Sequence, residues 1–95
     1  MKTKAKIMIV DDAEMNREIL MAILGDEYEY VQAENGRQAI HILQQDMNID
    51  LMLLDINMPE MNGFQVLDRM NTFHWINDIP VIMISSEEKK DVIER

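Results

Sequence analysis

Three short apolar runs in this chain each end in acidic or hydroxyl residues. The runs and their polar ends are residues 7–10 before Asp11 and Asp12, residues 51–54 before Asp55, and residues 80–84 before Ser85 and Ser86. Runs this short and this apolar are typical of strands that are buried on both faces of a parallel sheet. Because parallel strands point the same way, their carboxyl ends share one edge, where open α/β folds bind ligands. The sequence therefore predicts a site for a cation and a phosphate group at that edge.

Stretches in which apolar residues recur at helical spacing separate these runs. The three stripes are Met15, Ile19, Ala22 and Ile23; Ile40, Leu43 and Met47; and Phe64, Leu67 and Met70. Residues 29–33 alternate like a more exposed strand, and residues 87–95 begin a fourth helix. This alternation predicts an α/β fold with a doubly wound parallel sheet, in one domain spanning residues 1–95.

Composition narrows the class of partner. The formal net charge of −9 opposes direct binding to nucleic acid or to an anionic membrane. The absence of cysteine excludes disulfides and thiolate metal sites. The apolar run behind the basic N-terminus stops at two aspartates, so it is too short for a signal peptide or a membrane span. We therefore expect a cytoplasmic protein whose partners present basic or neutral surfaces.

The acidic residues point to a particular chemistry. Two carboxylates about 4 Å apart repel by on the order of 4 kcal/mol at an effective dielectric near 20, so a cation should hold Asp11, Asp12 and Asp55 together. Oxygen ligands without histidine or cysteine suit a hard ion, and space for water and phosphoryl oxygens favours Mg²⁺ over Ca²⁺. A carboxylate beside Mg²⁺ can attack a phosphoryl group and form an aspartyl phosphate. Ser85, on the neighbouring strand end, is placed to donate a hydrogen bond to that product.

Simpler roles compete for some of these residues. A lone aspartate such as Asp12 is most often a helix cap, and Ser85 with the three residues after it fits a capping box that opens the fourth helix. For Gly63, a backbone requirement at the start of a helix is favoured over a phosphate contact. His41 and His74 lack metal-ligand spacing, so we expect solvated side chains at both positions.

An acidic pair, a D-x-x-M-P-x-M-x-G segment and a strand-end hydroxyl occur in this order along the chain. The segments that carry them are residues 7–20, 35–39, 51–67 and 79–87. With these segments the chain resembles a response-regulator receiver domain, the phosphoacceptor module of two-component signalling. The resemblance implies a flavodoxin-like or CheY-like sheet and a bacterial signalling protein. It also implies a phosphohistidine donor on a sensor histidine kinase or a phosphotransfer domain.

The resemblance further implies a role for each polar residue at the sheet edge. These roles are phosphoacceptor for Asp55, direct Mg²⁺ ligand for Asp12, largely water-mediated ligand for Asp11, backbone-carbonyl ligand for Asn57, switch hydroxyl for Ser85 and small residue behind it for Ser86. The domain would then accept a phosphoryl group and change its surface, without turning over an external substrate.

One departure from the family pattern affects these expectations. Receiver domains have five strands in the order 2-1-3-4-5, whereas this sequence ends at Arg95, inside the expected fourth helix. We therefore expect the order 2-1-3-4, without the fifth strand, the fifth helix and the lysine that follows strand five. Phosphorylation of this fragment should be weak or short-lived. An open fourth strand, and bare apolar side chains on strands one, three and four, should promote self-association as a two-fold dimer.

Two other classes of protein remain compatible with the sequence. A phosphatase with an aspartate nucleophile also uses strand-end aspartates and Mg²⁺, but its signature has a second acidic residue two positions after the nucleophile, where this chain has Asn57. A chain of 95 residues also leaves no room for a cap domain. The other alternative is an interaction module in which the acidic site is inert.

Overall fold

The computed structural model describes residues 4–46 and 48–85. Strands and helices alternate in the described part of the chain. Their bounds are β1 Lys6–Val10, α1 Glu14–Leu24, β2 Glu29–Ala33, α2 Gly36–Gln45, β3 Leu51–Asp55, α3 Gly63–Thr72 and β4 Val81–Ile84, with a single 3-10 turn at Trp75–Asn77. The predicted strands and the first three predicted helices are thus confirmed. The predicted fourth helix, together with Met47 and Ser86, lies outside the described residues.

The sheet is parallel throughout, and its strand order is β2-β1-β3-β4. Met8 of β1 lies level with Val31 of β2 on one side and with Met52 of β3 on the other. Asp55, the last residue of β3, lies level with Ile84, the last residue of β4. This is the doubly wound 2-1-3-4 order that the sequence predicts, and it brings the carboxyl ends of β1, β3 and β4 to one edge.

Helix starts differ between the two sides of the sheet. The side chain of Asn35 accepts a hydrogen bond from the Gln38 N–H and caps α2, and Asn62 with Gln65 forms a reciprocal capping box at α3. Ala13 precedes α1 and offers no side-chain cap. Two helices therefore begin with locally satisfied N–H groups, whereas α1 depends on its tertiary contacts.

The larger part of the core lies between the sheet and the pair α2 and α3. Alternate residues of β1 and β3 point to this side and meet the inner faces of the two helices. Its buried members are Met8, Val10, Ala33, Ala39, Ile40, Leu43, Ile49, Met52, Leu54, Met58, Val66, Met70 and Ile79. Gly36 permits the close approach of α2 to α3, since a Cβ there would lie 2.8 Å from the Val66 side chain.

The opposite side of the sheet has a smaller core, covered by α1. Ile7, Ile9 and Leu53 are buried there, so the expectation that strands one and three would lie bare is wrong. The side chains that cover them include Leu20 and Leu24 of α1, which use a different face of the helix from the stripe seen in the sequence.

That stripe lies on the solvent side of α1. Met15, Ile19 and Ile23 are 70%, 49% and 73% exposed, and Ile82 of β4 is 51% exposed. Side chains alternate along a strand, and Ile84 packs against the core under α1, so Ile82 points to that same side of the sheet. We call these four residues the α1 face. Ile82 confirms the expected bare apolar surface on β4. The other three residues show that the rest of the exposed apolar surface on this side lies on α1.

Candidate functional site

Three carboxylates meet at the carboxyl edge of the sheet. Asp11 and Asp12 follow β1, Asp55 ends β3, and these two strands are neighbours. One carboxylate oxygen from each of the three residues lies within 4.8 Å of the others. We call this cluster the acidic site. The convergence of residues that are far apart in sequence is the arrangement expected from two neighbouring parallel strands.

Asp11 is buried and hydrogen-bonded. Its side chain is 4% exposed and accepts a hydrogen bond from the Ala13 N–H at 2.9 Å, with the Asn16 amide 3.4 Å from both carboxylate oxygens. Burial raises the pKa of Asp11 above its usual value, and the charges of Asp55 and Asp12 add to this rise. The Ala13 and Asn16 hydrogen bonds act in the opposite direction. The surroundings of Asp11 therefore disfavour its ionised form.

Asp55 is buried, at 2% exposure, and its Oδ1 lies 3.4 Å from the backbone nitrogen of Asn57. The strand pairing continues beyond it, since the Ile56 N–H donates to the Ile84 carbonyl at 3.0 Å. Ser85 comes next on β4, is exposed, and so emerges beside the end of β3. Asn57 is also exposed at this edge. The structure thus places all five of these predicted site residues, including the aspartates after β1, at a single edge.

Gly63 connects the acidic site to α3. Its N–H donates to the Ile56 carbonyl at 2.7 Å. A Cβ at this position would lie 2.5 Å from the Asp55 carbonyl oxygen and 3.0 Å from the Ile56 Cα. These neighbours are backbone atoms that cannot rotate away. The preference for a backbone requirement at Gly63 is therefore confirmed, because the backbone beside it leaves no room for a side chain.

The loop between Asp55 and Gly63 contains an unusual backbone conformation. Glu60 has φ of 69°, in the left-handed region that non-glycine residues rarely adopt. The neighbouring Met61 N–H donates to the Pro59 carbonyl at 2.7 Å, which makes the turn tight. This backbone strain lies in the loop that joins Asp55 to α3.

Two residues of α1 contact the acidic site but were not predicted from the sequence. Asn16 lies beside the Asp11 carboxylate. Arg17 Nη1 donates to the Asp11 backbone carbonyl at 2.6 Å, and its Nε donates to Gln32 Oε1 at 2.9 Å. Their position one turn after the acidic pair, at the start of a helix, was the available signal. Arg17 supports the backbone behind the carboxylates and ties β1 to β2.

The histidines stand apart from this chemistry. His41 on α2 and His74 before the 3-10 turn are both exposed, as expected. Neither belongs to the carboxylate cluster found among the described residues. The proposed capping box that begins at Ser85 extends into residues outside the described part of the chain.

The donor set of the acidic site fits a hard divalent cation. It offers only oxygen ligands, two of the three carboxylates are buried, and the separations of up to 4.8 Å are close to the span of one ion's coordination shell. Oxygen ligands of Mg²⁺ lie about 2.0–2.1 Å from the ion, so opposite ligands are about 4.2 Å apart.

Comparison with known proteins identifies the family. The model of the response regulator receiver domain matches residues 7–95. The chain is 31% identical over 90 residues to the two-component response regulator ORR3 of Oryza sativa, covering 94% of this chain and 69% of that protein. It is 42% identical over 81 residues to the response regulator RR06 of Streptococcus pneumoniae, covering 84% of this chain and 36% of that protein. The chain belongs to the response regulator receiver domain family.

A solved structure agrees with this assignment. The response regulator TrrA from Thermotoga maritima, determined in complex with Mg²⁺ and BeF, superposes with a TM-score of 0.76 at 31% identity, over 92% of this chain and 75% of that one. The relatives come from a plant as well as from bacteria, so they do not test the expected bacterial origin. In the described part of the chain, no helix is long and apolar enough to cross a membrane.

Proposed function

We propose that this chain is a phosphoacceptor that takes a phosphoryl group onto Asp55 within one cytoplasmic domain spanning residues 1–95. The donor is a phosphohistidine on a sensor histidine kinase or a phosphotransfer domain. The observation that carries the proposal is the convergence of the Asp11, Asp12 and Asp55 carboxylates within 4.8 Å at the carboxyl edge of the sheet. Membership of the receiver family supports it.

The Asp55 carboxylate acts as the nucleophile. One of its oxygens attacks phosphorus, and the bond between phosphorus and the imidazole nitrogen breaks. The electron pair of that bond stays on the nitrogen, which then takes a proton from solvent. Asp55 is the last residue of β3, and Gly63 at the start of α3 packs directly against its carbonyl. The strand and the start of the helix therefore hold the Asp55 backbone at the open edge.

Asp11, Asp12, Asp55 and the backbone carbonyl of Asn57 are the proposed ligands of Mg²⁺, which when bound offsets the charge that builds on the transferring group. Asn16 and Arg17 keep Asp11 in place while the ion binds. The Mg²⁺ and BeF complex of the Thermotoga maritima regulator supports this choice of ion. Ser85 donates a hydrogen bond to the new phosphate, and its movement changes the surface of the domain.

Labelling with a small phosphodonor tests the proposal. The chain is incubated with acetyl phosphate and Mg²⁺, quenched within seconds, and the acyl phosphate is mapped by reductive trapping and peptide mass spectrometry. We expect label on Asp55, its loss in Asp55→Asn, and no change in Asp68→Asn, which alters an exposed aspartate on α3. Early quenching limits hydrolysis of the acyl phosphate before it is trapped.

The outcomes separate the three classes of function. Label on Asp55 supports the phosphoacceptor. Label on Asp11 or Asp12 would contradict the assignment of the nucleophile. Sustained release of phosphate with repeated turnover would indicate a phosphatase, and no label at any time would indicate an inert interaction module. Ser85→Ala should retain label on Asp55 but lose the phosphorylation-dependent shifts of neighbouring amides.

Melting curves test the ion independently of phosphorylation. A ligand that binds only the folded state adds about 2.7 kcal/mol of stability at 100 times its Kd. We expect Mg²⁺ to raise the midpoint of unfolding relative to EDTA, and the combined Asp12→Ala and Asp55→Ala variant to abolish the difference. Equal midpoints in Mg²⁺ and EDTA for the unaltered chain would overturn the proposed site.

We also propose that the 95-residue chain self-associates through β4 and the α1 face. β4 is an edge strand in the described sheet, and Ile82 within it is half exposed. Met15, Ile19 and Ile23 add apolar surface on the same side. A second copy offers the same edge and the same apolar surface, so a two-fold arrangement satisfies both at once.

Sedimentation at micromolar concentration should show a dimer, and the paired Ile19→Glu and Ile23→Glu variant should be a monomer. A folded monomer of the unaltered chain would refute this assembly.

A further inference from the structure

A cleft between α2 and α3 lies outside the acidic site and has no role in the chemistry above. Its volume is about 300 Å³, and its lining residues are Arg37, Ile40, His41, Gln44, Met61 and Arg69. The floor is apolar, because Ile40 is buried and Met61 half-buried, whereas both arginines are exposed at the rim. We call this feature the arginine cleft.

The two arginines of the cleft differ from the other cations that the structure describes. Lys4 donates to a backbone carbonyl, Lys6 pairs with Asp46 at 3.0 Å, and Arg17 donates to two acceptors. Across residues 4–46 and 48–85, no hydrogen bond or ion pair engages the guanidinium of Arg37 or of Arg69. Of the cations in the described residues, the two that the fold leaves without a partner therefore line the same cleft.

The surrounding charge makes this place unusual. The whole chain has a formal net charge of −9, yet α2 contains no acidic residue and α3 contains one, Asp68. With Arg37 and Arg69, the two helices together carry a charge of +1, from two arginines and one aspartate. None of the six residues that line the cleft is a carboxylate. An anionic ligand would thus meet its only favourable helical surface in the described part of the chain at α2 and α3.

We propose that the arginine cleft binds an acidic segment of a partner protein. Guanidinium groups match carboxylates geometrically, and arginine clusters recognise acidic motifs by such pairs. A volume of about 300 Å³ is at the lower end for small-molecule pockets, so it suits one or two inserted side chains. An apolar side chain of the segment packs on Ile40 and Met61, and flanking carboxylates pair with Arg37 and Arg69. The residues that line the cleft are not members of the acidic site.

A peptide titration tests this inference. The probes are two capped synthetic pentapeptides, acidic Glu-Asp-Leu-Asp-Glu and its neutral counterpart Gln-Asn-Leu-Asn-Gln, added to the isotopically labelled chain and followed by two-dimensional NMR. We expect saturable shifts with the acidic peptide, centred on the amides of residues 36–45 and 69. Exposed charge pairs are individually weak, so each of Arg37→Gln and Arg69→Gln should weaken binding about two- to fivefold, and salt should weaken it further.

Controls separate a built cleft from general charge attraction. Lys4→Gln removes one exposed positive charge far along the chain from the cleft and should leave binding unchanged. Arg37→Lys keeps the charge but loses the planar guanidinium, so it should weaken binding less than Arg37→Gln does, which distinguishes lost pairing from misfolding. Equal binding of the neutral peptide, equal shifts with inorganic phosphate or citrate, equal weakening by Lys4→Gln, or the absence of saturable shifts would each overturn the proposal.

Discussion

The two sides of the sheet differ in the capping of their helices and in the size of their cores. On the side of α2 and α3, both helices have side-chain caps and cover a continuous core. On the side of α1, the helix lacks a side-chain cap, no residue of α1 is fully buried, and the core consists of three buried strand residues with partly buried neighbours. The first side holds the fold together, whereas the second presents apolar surface to its surroundings.

This difference indicates that one side of the sheet stabilises the fold and the other is available for interaction. Burial of apolar surface contributes about 25 cal/mol per Å², so the well-covered side supplies most of the favourable free energy of folding. The side chains of Met15, Ile19 and Ile23 contribute little to the stability of the isolated chain, because they remain exposed to water. The side with α1 is therefore the one on which a partner can gain the most from contact.

Matched isoleucines give the largest test of this contrast. Ile40 on α2 is 6% exposed and Ile23 on α1 is 73% exposed. We expect Ile40→Ala to lower the free energy of unfolding by about 2–5 kcal/mol, because it leaves a cavity, and Ile23→Ala to change it by less than about 0.5 kcal/mol. Urea unfolding followed by circular dichroism, at a concentration where the chain is monomeric, measures both. Similar losses at the two positions would remove the distinction between the sides.

Glycines at the start of α2 and α3 test how closely the covered side is packed. Gly63→Ala would place a methyl group against the Asp55 backbone, and we expect a loss of about 1–3 kcal/mol together with a weaker stabilisation by Mg²⁺. Gly36→Ala is the matched control, since its methyl group would also lie too close to its neighbours, 2.8 Å from a Val66 methyl and 2.9 Å from the Met61 Cβ, but would not touch the Asp55 backbone. It should therefore lower stability without weakening the response to Mg²⁺. An unchanged response to Mg²⁺ in Gly63→Ala would show that the backbone beside Asp55 yields more easily than its geometry indicates.

Exchanging the caps should make the two sides more alike. Ala13→Ser gives α1 a side-chain cap and should raise the free energy of unfolding by about 1 kcal/mol, whereas Asn35→Ala removes the cap of α2 and should lower it by about the same amount. Thermal unfolding of the two single variants and of the double variant measures the effects. A loss of stability in Ala13→Ser would show that the backbone before α1 cannot position a capping hydroxyl.

The smallest expected effect is a dependence of stability on pH. Burial raises the pKa of Asp11 in the folded state, with partial compensation from the Ala13 N–H and Asn16. The folded state therefore binds more protons than the unfolded state just above the usual pKa of 3.8. As a result, the contribution of Asp11 to the free energy of unfolding falls as pH rises through its folded pKa. In EDTA, Asp11→Asn should remove this component of the pH dependence, which denaturation between pH 3.5 and about 7 would reveal. An unchanged slope in Asp11→Asn would contradict the assignment.

The sequence predicts the acidic site well because its geometry follows from topology. Asp55 and the pair after β1 must converge once the strands are parallel and adjacent, whatever the details of packing. The contacts of Asn16 and Arg17 could not be predicted in this way, since they depend on how α1 is rotated about its axis. Periodicity likewise identified the stripe with Ile19 and Ile23 but could not show that a second apolar stripe, with Leu20 and Leu24, covers the sheet instead.

Arg17 links the exposed side of the molecule to its reactive edge. The residue sits in the first turns of α1, two residues after Met15 and two before Ile19, and its guanidinium holds the Asp11 carbonyl and the Gln32 side chain together. If a partner that binds Met15 and Ile19 favours a setting of α1 in which Arg17 moves the Asp11 carbonyl, the affinity of the acidic site for a cation changes with it. Thermodynamic linkage makes this relation reciprocal: occupation of the carboxylates changes the affinity of the helix for that partner by the same factor.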